Sequence, residues 1–191
     1  MTEVKLGQPA VFLDRDGTLI ADRDYLHKPE EVEYVPGALE AMKRLQNAGF
    51  ALVMVTNQSG VGRGYFTMQD VEKVHAKIRA DLATLDVTLT AVYTAPEAPD
   101  QPSRGRKPSP AFFFDARDAF GLDLARSYMI GDKLIDLEAG WNAGVRRSLL
   151  VRSGYGAKVE KKEAAHLKNA VVADSFAEAA EWMIENSRVK G

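Results

Sequence analysis

Short apolar runs that stop at acidic or polar residues constrain this chain more than any other feature. Residues 10–13 read Ala-Val-Phe-Leu and end at Asp14. Four apolar residues without a polar gap fit a strand buried on both faces, as in a parallel sheet. Residues 50–55 repeat the pattern and run into Thr56-Asn57-Gln58-Ser59-Gly60, which reads as a polar loop. Residues 127–130 repeat it again before Gly131-Asp132. Residues 87–94, 148–151 and 171–172 supply three more strands. Helical stretches separate them at 36–48, 67–84, 111–120 and 134–143, with a last one over 175–185. Leu39, Met42 and Leu45 recur at helical spacing, Pro36 suits a first turn, and Thr67 with Asp70 and Ser175 with Glu178 resemble capping boxes. Ser109 is expected to cap 111–120, with Pro110 at its first position. Strands alternating with helices predict an α/β fold with a mainly parallel sheet, and 191 residues fit one domain spanning 1–191. Ligands of such sheets bind beyond the carboxyl ends of the strands.

Composition removes several classes of function. The chain has no cysteine, which excludes disulfides, thiolate catalysis and any cysteine-based zinc site. It carries 25 Lys and Arg against 27 Asp and Glu, a net charge of −2, which gives no basic tract for nucleic acid or an anionic membrane. No apolar run approaches the length of a membrane span, and residues 1–9 hold Glu3 and Lys5 in place of an apolar signal segment. The expectation is a cytoplasmic monomer without nucleic-acid or membrane partners.

The predicted strand ends collect chemistry. Asp14 and Asp16 are two apart, so in extended backbone their side chains point the same way. Carboxylates held that close repel unless a cation or a shared proton intervenes. Asp132 adds a third acid from another strand, Thr56 a hydroxyl, and the proline-rich loop over 95–110 delivers Arg106 and Lys107. Hard oxygen ligands with no cysteine and no histidine motif favour Mg²⁺ over zinc. His27, His75 and His166 are scattered, and His75 is expected on a helix surface. Trp141 and Trp182 read as packing residues, and Lys158, Lys161 and Lys162 as a solvated face.

Four ordered segments then carry a resemblance: Asp14-Arg15-Asp16-Gly17-Thr18, residues 55–60, Arg106-Lys107-Pro108, and Gly131-Asp132-Lys133-Leu134-Ile135-Asp136. The chain resembles the haloacid dehalogenase (HAD) superfamily of aspartate-nucleophile phosphatases. The resemblance implies a Rossmann-like three-layer sandwich, and the spacing of the segments leaves no room for a large cap domain. It implies Asp14 as nucleophile, Asp16 as general acid and base, Thr56 as a phosphate ligand and Lys107 as a charge stabiliser. Mg²⁺ would be held by Asp14, the backbone carbonyl of Asp16 and Asp132. Asp136 would orient Lys133 or a metal-bound water, or serve only as a first-turn helix acid.

Within the superfamily, the chain is similar to the subfamily of heptose bisphosphate and histidinol-phosphate phosphatases. Arg15, residues 22–25, Asn57-Gln58-Ser59-Gly60 and Gly62-Arg63-Gly64 carry that likeness. It implies a phosphorylated sugar substrate, best matched by heptose 1,7-bisphosphate cleaved at its 7-phosphate, in lipopolysaccharide precursor synthesis. Substrate contacts would come from Arg15, Asp22, Arg23, Asp24, Tyr25, Asn57, Gln58, Ser59, Arg63, Arg106 and Lys133. Many members carry a Cys/His zinc loop before the Arg-Lys segment. Residues 93–105 here hold neither Cys nor His, so no zinc is expected and prolines are expected to stiffen the loop. Alternatives are histidinol phosphate or another small phosphomonoester and, from a different class, a catalytically idle binding module. Polynucleotide 3′-phosphatases share the Asp-x-Asp-Gly-Thr start, but the acidic balance argues against them.

Overall fold

A computed structural model describes residues 4–187, so the reading of residues 1–3 lies outside the described residues. Six strands form one sheet: β1 (Ala10–Leu13), β2 (Ala51–Asn57), β3 (Ala91–Ala95), β4 (Tyr128–Gly131), β5 (Arg147–Val151) and β6 (Val171–Ala173). Their order is β3-β2-β1-β4-β5-β6, and every neighbouring pair is parallel. Seven α-helices accompany them among the described residues: α1 (Ala38–Asn47), α2 (Ser59–Gly62), α3 (Met68–Ala83), α4 (Ala111–Phe120), α5 (Leu134–Ala143), α6 (Gly156–Lys162) and α7 (Phe176–Ser187).

Side-chain alternation along the strands builds two cores. Val11 and Leu13 of β1, with Leu52 and Met54 of β2, face α1, α3 and α7 through Met42, Leu45, Val74, Ile78, Phe176 and Met183. Ala10, Phe12, Val53 and Val55 face the other way, onto Phe113 and Ala116 of α4 and Ala139 and Ala143 of α5. Phe12 stacks on Phe113 at 4.3 Å between ring centres. The result is helix, sheet, helix in three layers. The chain changes direction of travel at β1, which has β2 on one side and β4 on the other. That is the switch point where a parallel sheet leaves a crevice. The stretch between β1 and β2 holds only a short 3₁₀ turn at Pro29–Glu31 and α1, with no inserted cap.

The helix at 111–120 and the one at 134–143 fall where the periodicity places them, and Gly144 closes the latter in a left-handed conformation. Thr67 and Asp70 form the expected capping box on α3. Other expectations shift. Residues 87–90 are loop: the left-handed Asp86 turns the chain after α3, and Val87 reaches the core from that turn. Ser109 hydroxyl accepts from Ala111 N–H, but Pro110 holds the cap position of α4. Glu178 N–H donates to Ser175 Oγ, while the Glu178 carboxylate takes the N–H of Asp174 in place of Ser175. Residues 56–60 are not a simple loop, because β2 continues to Asn57 and Ser59 opens the helical turn α2. His75 is buried on α3, not on its surface. Its α3 neighbours Val71, Val74, Ile78 and Leu82 are buried too, so it lies on the core side.

Candidate active site

Asp14 leaves the end of β1 and its backbone N–H donates to the Ile130 carbonyl of β4, at 3.0 Å. That bond pulls the β1 and β4 tips together and brings Asp14 beside Asp132. Lys107 enters from the loop after β3. Its Nζ lies 2.5 Å from Asp14 Oδ1 and 2.7 Å from Asp136 Oδ1, and all three side chains are buried. Asn57 fixes the lysine backbone from both sides: its Oδ1 accepts the Lys107 N–H at 3.0 Å and its Nδ2 donates to the Lys107 carbonyl at 3.3 Å. Asp136, in the first turn of α5, also accepts the backbone N–H of Lys133 at 2.9 Å.

Asp132 completes the floor. Its Oδ2 accepts the Tyr155 N–H at 2.8 Å, whereas its Oδ1 is buried and has no hydrogen-bond partner. Two glycines admit this carboxylate. A Cβ on Gly17 or on Gly154 would stand 2.2 Å from Asp132 Oδ2, and both residues have positive φ. Asp14, Asp132 and Asp136 place carboxylate oxygens within 4.8 Å of one another. Lys107 is the ammonium in direct contact with this group among the described residues, and Lys133 acts on it from farther away. Burial is the main reason the Asp14 carboxyl is pushed up to about 6, with Asp136 and Asp16 adding and Lys107 opposing. Burial, then Asp14 and Asp136, push Asp132 up to about 8. For Lys107, burial disfavours the charge, but Asp136 and Asp14 outweigh it and hold the ammonium above its ordinary value.

Asp16 sits above this floor, beside Arg15, Gln58 and Thr56. Arg15 has no solvent exposure. Its Nε donates to Asp16 Oδ2 and its Nη2 to Asp16 Oδ1, both at 3.0 Å. The same Nη2 reaches the Leu26 carbonyl at 3.1 Å and Gln58 Oε1 at 3.0 Å. Gln58 Nε2 donates to Asp16 Oδ2 at 2.8 Å and to Thr56 Oγ1 at 2.7 Å. Because the Thr56 oxygen accepts there, its own O–H remains free for another acceptor.

A cavity of about 240 Å³ opens over this group. Its wall includes Asp22, Asp24, Tyr25, Ser59, Lys133 and Tyr155. Asp24 and Tyr25 both take positive φ, which carries their segment back over the strand ends. Lys133 Nζ lies 3.3 Å from Asp22 Oδ2 and 4.8 Å from the centre of the Tyr155 ring. Asp132 and Asp14 are the leading reasons its ammonium is held well above its ordinary value, against burial.

The structure thus gathers Asp14, Thr56, Lys107 and Asp132 at the floor, and Arg15, Asp16, Asp22, Asp24, Tyr25, Asn57, Gln58, Ser59 and Lys133 along the wall. Three predicted contacts lie outside that wall. Arg23 pairs with Glu33 and is half exposed. Arg63 and Arg106 stand near each other beyond the α2 end, close enough that Arg63 adds to burial in lowering the Arg106 guanidinium. Sequence reasoning missed Tyr155 and Gly154. Both follow the tip of β5, and only the strand-end rule, applied to β5 as it was to β1, could have found them. It also missed the contact of Asp136 with Lys107, which no spacing announces.

Comparison with known proteins places this geometry. A family model described as polynucleotide kinase 3 phosphatase matches residues 10–135, and one described as HAD-hydrolase-like matches residues 105–179. D-glycero-beta-D-manno-heptose-1,7-bisphosphate 7-phosphatase of Escherichia coli O6:H1 is 43% identical over 164 residues, covering 82% of this chain and 86% of the relative. The protein of the same name from Haemophilus ducreyi is 40% identical over 169 residues, covering 85% and 93%. A crystal structure of D,D-heptose 1,7-bisphosphate phosphatase from B. bronchiseptica, complexed with magnesium and phosphate, superposes with a TM-score of 0.86. It is 32% identical and covers 93% of this chain and 99% of that one. The corresponding enzyme of Burkholderia thailandensis gives 0.69 at 31% identity, covering 93% and 99%. Four motifs at the strand ends, the three-layer fold around them and relatives aligned over most of their length agree: this chain belongs to the HAD-like phosphatases, phosphoric monoester hydrolases, in the family of the heptose 1,7-bisphosphate phosphatases.

Proposed function

We propose that the chain removes the 7-phosphate from D-glycero-D-manno-heptose 1,7-bisphosphate through an aspartyl-phosphate on Asp14. The observation that carries the chemistry is the Asp14 carboxylate, buried at the β1 tip against the Lys107 ammonium and beside the unpartnered oxygen of Asp132. The substrate rests on the relatives, aligned at about 40% identity over most of both chains.

Asp14 attacks phosphorus as the bond to the sugar oxygen breaks. Asp16 gives its proton to that leaving oxygen. A water then attacks the same phosphorus, Asp16 takes its proton, and Asp14 departs as phosphate is released. Thr56 offers its free O–H to a phosphate oxygen. Lys107 hydrogen-bonds Asp14, is ion-paired with Asp136 and stands where its charge would offset that of the transferring group. Lys133 and the segment from Asp22 to Tyr25 bound the space where the sugar would lie.

The donor set fits Mg²⁺. Asp136 is occupied by Lys107 and the Lys133 N–H, so Asp14, the Asp132 Oδ1 and the Asp16 carbonyl are the oxygens that would hold the ion. Bound there, it offsets the repulsion between a carboxylate nucleophile and a phosphate ester.

A phosphate-release panel with Mg²⁺ tests the reading. It compares both anomers of heptose 1,7-bisphosphate, histidinol phosphate, fructose 1,6-bisphosphate and a 3′-phosphorylated oligonucleotide by kcat/KM. The expected preference for a heptose bisphosphate is about a hundredfold or more, roughly 2.7 kcal/mol of transition-state discrimination. Equal rates across the panel would contradict the substrate, and a preference for the oligonucleotide would replace it.

A further inference from the structure

Arg15 is the largest fully buried side chain among the described residues, and it is a cation. A buried guanidinium is costly unless its donors are matched. Nη1 is buried without a partner, while Nε and Nη2 go chiefly to one neighbour: both Asp16 oxygens receive them, at 3.0 Å each. Gln58 closes the triangle, accepting from Arg15 at 3.0 Å and donating to Asp16 at 2.8 Å. The Leu26 carbonyl, at 3.1 Å, ties the same nitrogen to the segment that carries Asp22, Asp24 and Tyr25. Arg15 has no exposed surface with which to meet a sugar, so its donors serve Asp16, Gln58 and the Leu26 carbonyl and not the substrate.

The geometry points to Arg15 as a positioning residue, with Gln58 as its second arm: together they fix the Asp16 carboxyl at the angle from which it passes a proton to the leaving oxygen. The two-point fork sets the plane of the carboxyl, which a single contact cannot do. Gln58 links that plane to Thr56, so the proton donor and the phosphate-binding hydroxyl are held by one amide. The inference rests on the reading of Asp16 as the general acid. It adds that the acid works only while clamped.

Leaving-group selectivity tests it. A sugar alkoxide needs a proton to depart, whereas p-nitrophenolate leaves without one. Single-turnover release of the leaving group is measured for heptose bisphosphate and for p-nitrophenyl phosphate, with Mg²⁺, in the wild type, Arg15→Lys, Gln58→Leu and Asp16→Asn. Arg15→Lys keeps the charge and removes the fork. The expected result is a loss of about tenfold or more on the sugar ester and less than about threefold on the nitrophenyl ester, with Gln58→Leu smaller and in the same direction. Asp16→Asn is the reference and should show the largest selectivity. Should Arg15→Lys fail to fold, as judged by its melting curve, Gln58→Leu decides alone. Parallel losses on both esters, or no loss, would make the clamp a structural feature only and overturn the inference while Asp16→Asn stays selective. A non-selective Asp16→Asn would instead remove the acid itself, and the clamp with it.

Discussion

Asp136 shows how one residue can serve two ends. It caps α5 by accepting the Lys133 N–H and, through its other oxygen, faces Lys107. The sequence permits the first role, because a first-turn acid suits a helix N-terminus. It does not reveal the second, since Lys107 and Asp136 belong to different motifs and meet only when the sheet assembles. Lys107 is accordingly the residue on which the floor balances. Lys107→Met removes the one ammonium among three buried carboxylates. It should cut turnover by about 10² to 10³ and lower the melting temperature, and steady-state kinetics with calorimetry on the same sample would check both. Unchanged turnover would remove Lys107 from the reaction. His75 teaches a complementary lesson: histidine has no fixed preference for surface or core, and only the α3 packing decides. Burial first, then Arg15 and Arg79, push its imidazole down to about 3, so it stays neutral behind the site.

At the scale of elements, the strand tips do the assembling. Uninterrupted apolar runs made β1, β2 and β4 legible, and their ends made Asp14, Thr56 and Asp132 legible as a group. Burial on both faces explains why: a central parallel strand is apolar along most of its length and turns polar near its carboxyl end, as β2 does at Thr56 and Asn57. The turn after β5 was not legible. Ser153-Gly154-Tyr155 carries no metal-ligand or nucleophile signature, yet Ser153 Oγ donates to the Gly17 carbonyl at 2.7 Å and Tyr155 N–H to Asp132. Gly154→Ala tests the importance of that turn. The added methyl would meet Asp132 Oδ2 at 2.2 Å in a backbone of positive φ. A displaced Asp132 should weaken Mg²⁺ activation about tenfold or more, read as the Mg²⁺ concentration for half-maximal rate. An unaltered Mg²⁺ requirement would place Asp132 outside the ion's ligands. The loop over 95–110, where prolines were expected to add stiffness, is also held by side chains. Arg104 grips Asp115 through two bonds of 2.5 Å, and Ser103 joins Glu97 at 2.7 Å.

For the whole molecule, the acidic floor links stability to pH and to metal. Asp14 and Asp132 each start from 3.8 and are raised, to about 6 and about 8. The folded chain therefore binds more protons than the unfolded chain between these values. The stabilisation this gives is complete at the acid end and is lost as pH rises through about 6 and then about 8. A divalent cation replaces those protons. Mg²⁺ should raise the melting temperature more at the alkaline end of that window than at the acid end, by thermal unfolding with and without the ion. An increment that shrinks as pH rises would contradict the carboxylate floor as the metal site. No helix among the described residues is long and apolar enough to cross a membrane.

The proposed reaction requires Asp14 to form a covalent bond to phosphorus. Acid quenching during turnover of heptose bisphosphate with Mg²⁺, followed by peptide mass spectrometry, addresses that directly. One phosphoryl group is expected on the peptide that contains Asp14, absent from Asp14→Asn, which also releases no phosphate. A phosphoryl group on another residue, or full phosphate release by Asp14→Asn, would contradict it.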